Sequence, residues 1–133
     1  MSNHYHALVW LDHRQAKVFH FNAIESECVV VHSTHPDQHI HHKANSGDSG
    51  HVPVDLEYLR RVTLEALKAG ALLITGPSGA KTELARYIQH SEPALAAKIS
   101  AVEASDHPTD GELLAMGRKF FRADDRMHSQ VAP

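Results

Sequence analysis

Cysteine is almost missing from this chain: among 133 residues there is one, Cys28. A lone thiol closes no internal disulfide, which excludes a stapled scaffold. It also excludes any all-cysteine zinc or iron–sulfur centre within one chain. Long apolar runs are lacking as well. The longest, such as Ala69–Thr75, fall far short of the ~20 residues of a membrane span. Met1-Ser2-Asn3-His4 has no basic stretch followed by an apolar run. No secretory leader is therefore expected, and the reading is a cytoplasmic protein without a membrane partner. Basic charge is scarce too, with 13 Lys and Arg against 16 Asp and Glu and a net charge of −3. A generally basic nucleic-acid binder is thereby excluded, and such contact has to use a local patch.

Histidine is in excess. Thirteen of them stand in the chain, and protonating all would carry the formal charge from −3 to +10. The imidazole titrates near neutrality, so the surface charge responds to mild acid. Hydrophobic residues at 42% and charged residues at 22% place the rest of the chain among globular proteins. The length fits one domain. No internal repeat or linker divides it, so one domain is expected over 1–127, with a frayed tail over 128–133.

Three β-rich runs come first. His4–Asp12 is apolar on both faces through its centre, which suits a central strand. Ala16–Phe21 alternates, with Ala16, Val18 and His20 on one side and Lys17, Phe19 and Phe21 on the other. Glu27–His32 follows. Short turns join them into an antiparallel meander. Residues 33–53 then break the pattern with two prolines, two glycines and five histidines. A loop this long is uncommon in a compact domain and is usually functional or disordered. A short extended piece, 39–43, is expected within it.

Asp55 is placed to cap a helix reaching about Lys68, with Leu56, Leu59, Thr63, Ala66 and Leu67 on one face. Gly70 stops it. Ala71–Thr75 is a continuous apolar run, typical of a buried parallel strand. Gly76-Pro77-Ser78-Gly79 turns the chain into a helix over about 80–90, with Leu84, Tyr87 and Ile88 inward. Pro93 interrupts it, and 94–97 suits a single turn. Ile99–Ala104 reads as a fifth strand. Thr109-x-x-Glu112 is a capping box. It opens a last helix to about Arg122, with Leu113, Leu114, Gly117, Phe120 and Phe121 at its buried face. The order β-β-β-α-β-α-β-α predicts an α/β fold: a mixed five-stranded sheet flanked by helices, of ribonuclease-H-like type.

Several patterns invite chemistry. Gly76-Pro77-Ser78-Gly79-Ala80-Lys81-Thr82 lacks the four-residue spacing of a phosphate loop. It still sets Lys81 beside a helix start where an isolated phosphate would fit. His39 and His41 point the same way in an extended segment, and His51 could join them on a metal ion. Adventitious binding is the plainer account, and neither a metal nor a cofactor is expected. Asp12, Glu57, Glu83 and Asp106 are the carboxylates that a metal-dependent nuclease on this fold would have to gather. Asp12 has a plain alternative as a turn residue. Ser49 has no base and acid at recognisable spacing. His39, His41, His42, Lys43 and His51, with Arg60 and Arg61 on the next helix and Lys81, make the better phosphate-facing set. Arg118, Lys119, Arg122 and Arg126 suit a helix end.

His6–Phe19, His39–Lys43, Leu73–Leu84 and Asp106–Leu114 together resemble the small bacterial translational machinery proteins. These are relatives of the archaeo-eukaryotic peptide-chain release factor family, and the resemblance spans nearly the whole chain. It implies a domain similar to the central domain of the class-1 release factor and of Pelota, with a ribonuclease-H-like fold. In release factors the loop between the third strand and the first long helix carries a Gly-Gly-Gln motif that promotes peptidyl-tRNA hydrolysis. Here that stretch reads Asn45-Ser46-Gly47-Asp48-Ser49-Gly50-His51. Gly-Gly-Gln is absent, so the hydrolytic role is not carried over. The sequence thus favours a translation-associated protein that binds the ribosome or a structured RNA over an enzyme. A metal-dependent nuclease and a non-catalytic interaction module, with a homodimer through an open sheet edge as one form of it, stand as alternatives.

Overall fold

The computed structural model describes residues 5–34 and 55–128. Within them run β1 (His6–Leu11), β2 (Gln15–Phe21), β3 (Ser26–His32), α1 (Leu56–Ala66), β4 (Ala71–Gly76), α2 (Ala80–Ser91), α3 (Pro93–Ala96), β5 (Ile99–Ala104) and α4 (Asp110–His128). The sheet order is β3-β2-β1-β4-β5. β1 pairs antiparallel with β2, and β2 with β3. β1 pairs parallel with β4, and β4 with β5. This is the expected mixed sheet, with β1 at its centre because that strand is apolar on both faces.

The two turns of the meander are held by side chains. Asp12 Oδ1 accepts from the backbone N–H of Arg14 at 2.8 Å and of Gln15 at 2.9 Å. Asn22 Oδ1 does the same for Ile24 at 2.8 Å and Glu25 at 2.7 Å. These are Asx turns, the role short polar side chains fill at such corners.

The alternation along the strands builds two cores. Ala7, Val9, Leu11, Ala16, Val18, Leu72 and Ile74 meet Leu59 and Val62 of α1, Leu84 and Ile88 of α2, and Leu95 of α3. On the opposite face Leu8, Trp10, Phe19, Phe21 and Leu73 meet Leu113 and Phe121 of α4. Each fully buried Leu or Phe side chain contributes roughly 1.5–3 kcal/mol. α4 lies close to the sheet because it turns a glycine inward. A Cβ on Gly117 would stand 2.8 Å from Phe21 Cζ and 3.2 Å from Leu8 Cδ1.

Two expectations need correction. On α1 the inward residues are Tyr58, Leu59, Val62, Thr63 and Ala66, whereas Leu56 and Leu67 are exposed. Tyr58 is amphipathic and carries the packing of its turn with its ring, so the inward stripe is shifted from the purely aliphatic one. α4 continues to His128 rather than ending near Arg122. Its apolar face ends at Phe121, but residues 123–128 contain neither glycine nor proline to stop a helix.

Candidate functional site

β1, β3, β4 and β5 all point one way, so their C-terminal ends share one edge of the sheet. α1, α2 and α4 start at that edge. From β1 the chain crosses to β2 on one side, whereas from β4 it crosses to β5 on the other. Such a reversal opens a crevice at the carboxyl ends of the strands, where α/β sheets place their sites. Residues 35–54 leave from and return to this edge, since Thr34 follows β3 and Asp55 precedes α1.

The root of that segment is clasped. Asp55 caps α1 with Oδ1, accepting from the Tyr58 N–H at 3.0 Å, while its Oδ2 accepts from the Ser33 hydroxyl at 2.8 Å. One carboxylate thus holds both ends. Tyr58 is buried and donates its hydroxyl to Asp12 O at 2.9 Å, fixing the start of α1 to the end of β1. Burial first, then the charges of Asp12 and Asp55, push the Tyr58 phenol far above its usual range, so it stays a donor. Arg61 donates to His32 O at 2.6 Å, tying α1 to the end of β3.

Beside the root, His13 Nε2 lies 3.2 Å from Glu83 Oε1 in the first turn of α2. The hydrogen bond to Glu83 outweighs partial burial and holds the His13 imidazole above its ordinary pKa of 6.5, with the charges of Glu83 and Asp12 adding to it. Across the edge, Trp10 Nε1 donates to Asp106 O at 2.8 Å, and the His107 ring stands 5.4 Å from the Trp10 ring. His107 Nδ1 is 2.9 Å from Asp106 Oδ1 and its Nε2 is 3.8 Å from Asp12 Oδ2. Lys17 Nζ meets Asp110 Oδ1 at 2.7 Å and lies 5.8 Å over the Trp10 ring.

The residues singled out from sequence fall as follows. Arg60 and Arg61 sit side by side on α1, near the segment's root. Arg60 grips Glu57 through Nε at 3.1 Å and Nη2 at 2.9 Å, and Arg61 Nε is 3.9 Å from the same carboxylate. The Arg60 hydrogen bonds lower the Glu57 pKa and raise that of Arg60. Lys81 stands on the first turn of α2 with its ammonium 2.7 Å from Ser78 O. His39, His41, His42, Lys43 and His51, the extended piece 39–43 and residues 129–133 lie outside the described residues.

Of the four carboxylates, Asp12 serves the Asx turn, Glu83 meets His13, Asp106 meets His107, and Glu57 is held by α1's arginines. Among the described residues no group of three or more His, Cys, Asp or Glu is placed to hold a metal ion. The last basic group is structural at Arg118, which donates to Asn22 O at 3.0 Å and Glu25 O at 3.2 Å. The contacts Ser33–Asp55, Tyr58–Asp12 and His13–Glu83 were not legible in the sequence. Each joins residues far apart along the chain; Asp55 carries a local signal as a helix cap and Asp12 as a turn residue, but neither signal names the distant partner.

No family profile matches the chain, and no curated protein does. Solved structures do. Pelota from Archaeoglobus fulgidus is 13% identical, with a TM-score of 0.62 over 95% of this chain and 33% of its own. Pelota from Thermoplasma acidophilum is 15% identical, with a TM-score of 0.53 over 84% of this chain and 32% of its own. An archaeal translation termination factor is 12% identical, with a TM-score of 0.53 over 81% and 32%. The chain thus spans about one third of the length of the solved proteins it matches. Among the described residues no helix is long and apolar enough to cross a membrane. The chain shares its fold with part of these two Pelota proteins and of the archaeal translation termination factor.

Proposed function

We propose that this chain is a cytoplasmic, translation-associated protein that binds the ribosome or a structured RNA, akin to the small bacterial translational machinery proteins. The working surface is the segment 35–54, through His39, His41, His42, Lys43 and His51, together with Arg60, Arg61 and Lys81. The observation that carries this reading is the root of the segment: Asp55 clasps Ser33 while Arg60 and Arg61 stand beside it on α1. Cations at such a position engage phosphates, and histidines add charge below neutrality. The termination factor whose fold is shared works in translation, and that setting is extended here to this chain. Peptidyl-tRNA hydrolysis is left out of the proposal because Gly-Gly-Gln is absent. A second copy of the chain is proposed as a further partner, through the open sheet edge.

Co-sedimentation of the purified chain with ribosomes tests the reading. Association at about 50 mM salt, weakening steeply toward about 200 mM, is expected. It should strengthen between about pH 8 and about pH 6. A chain that stays in the supernatant at low salt and at both pH values, with ribosomes and with ribosomal RNA alike, overturns it.

A further inference from the structure

We propose that β3 pairs with its own copy, so that two chains form a two-fold dimer centred on Val29. The inference stands apart from RNA binding and rests on the outer edge of the sheet. Among the described residues no strand pairs with that side of β3. Ser26–Val30 is exposed throughout, with Val29 37% and Val30 47% exposed.

The direction of each main-chain group on β3 follows from two hydrogen bonds to its inner neighbour. Ser33 N–H donates to Arg14 O at 2.8 Å, and Asn22 N–H donates to Glu25 O at 3.0 Å. Together with the register Val29↔Val18, these bonds assign Glu27, Val29 and Val31 to the inner ladder. Cys28, Val30 and His32 therefore turn their N–H and C=O outward. The His32 carbonyl is already taken by Arg61 at 2.6 Å. At the centre of this edge, on either side of Val29, stand the outward groups of Cys28 and Val30. An antiparallel copy centred on Val29 sets Cys28 opposite Val30 and Val30 opposite Cys28. That register satisfies the four main-chain groups of Cys28 and Val30 with four hydrogen bonds, and Arg61 on the His32 carbonyl limits the ladder beyond them.

The helix above the edge fits the same operation. α1 lies over β2 and β3. Strands are spaced ~4.8 Å apart, so a two-fold axis beside β3 brings the two copies of α1 to about 10 Å, the distance at which helices pack. The groove between β3 and α1, of about 470 Å³, is lined by Val29, Val31, Arg61, Leu64 and Glu65 among others. Leu64 is 47% and Leu67 38% exposed on the flank of α1. Arg61 and Glu65 bracket Leu64, so antiparallel helices bring the arginine of one copy beside the glutamate of the other. The edge thus offers a self-complementary strand, an apolar strip and opposite charges to a second copy.

Analytical ultracentrifugation of the full chain over a hundredfold range of concentration should show twice the mass of one chain. Val30→Pro removes an outward N–H and leaves the inner ladder intact. It should weaken the dimer at least tenfold with an unchanged circular dichroism spectrum. Val29→Cys in a Cys28→Ser background places two thiols across the axis at a non-hydrogen-bonded position, within disulfide reach. Mild oxidation should then give a covalent dimer. The parent, whose Cys28 copies lie diagonally ~7–8 Å apart, should give none. A monomer at every concentration, a dimer untouched by Val30→Pro, or crosslinking through Cys28 in place of position 29 each overturns the proposal. So does a monomer that takes up an unrelated extended peptide along β3.

Discussion

His13 Nε2 and Glu83 Oε1 stand 3.2 Å apart, joining the β1–β2 turn to the first turn of α2. Both side chains are about two-thirds covered, so the pair is screened and its worth is modest. Because Glu83 raises the His13 pKa above 6.5, the stabilisation is complete below that ordinary value. It fades as pH climbs through the raised one. Glu83→Gln should therefore lower unfolding stability by about 0.5–1 kcal/mol at about pH 5.5 and by little at about pH 8.5. Urea denaturation of parent and variant at both pH values checks this, and the other histidines cancel in the difference. The His13 imidazole resonance in the variant should titrate lower than in the parent.

Tyr58→Phe removes the hydroxyl that holds Asp12 O at 2.9 Å. The ring keeps its place in the core, so the loss is that of one half-buried hydrogen bond, about 1 kcal/mol. Since burial keeps the phenol protonated well above its ordinary range, the cost should be equal at about pH 6 and about pH 9. Thermal unfolding at the two pH values measures it.

Period and punctuation alone expose most of this fold. The two-sided apolar run of β1, the alternation of β2 and the short apolar run of β4 announce a central strand, a meander neighbour and a parallel strand. Each reports only which faces are buried. Asp12, Asn22, Asp55 and the Thr109–Glu112 box act on backbone a few residues away, so their roles are local and readable. The site is different. Asp55 also holds Ser33, 22 residues earlier, and Tyr58 reaches Asp12, 46 residues earlier. No local pattern encodes such pairings. Charge marks the phosphate-facing set, and charge does not reveal that Arg60 is gripped by Glu57 or that Lys81 is folded onto Ser78 O. On α1 the aliphatic residues suggest one stripe, but an aromatic with a polar tip, Tyr58, occupies the core.

Gly76→Ala tests how tightly β4 is set against β1. A Cβ at Gly76 would stand 2.1 Å from Leu11 O, a main-chain atom that cannot rotate away. Either the end of β1 or the turn into α2 has to shift, and both bear on the candidate site. The expected cost is about 3 kcal/mol, at the upper end for overpacking. Gly79→Ala, three residues further along the same turn and with no atom within 4 Å of the added carbon, should change stability by less than about 0.5 kcal/mol. Equilibrium unfolding of the two variants separates backbone collision from a general effect of losing glycine in this turn.

Substitution within 35–54 and at its root divides the proposed RNA contact into its parts. Replacing His39, His41 and His42 together by alanine should leave ribosome association at about pH 8 unchanged and reduce its rise toward about pH 6 to the share of His51, because only the protonated imidazole attracts phosphate. Lys43→Ala should weaken association at both pH values and reduce the slope of log affinity against log salt by about 1, as one phosphate contact is lost. Glu57→Gln acts in the opposite direction. It frees the Arg60 guanidinium from a carboxylate held at 2.9 Å and 3.1 Å. An exposed pair of this kind is weak, so binding should tighten only roughly twofold. Should the salt slope, the pH response and the Glu57 variant all match the parent, the contact lies on another face of the sheet.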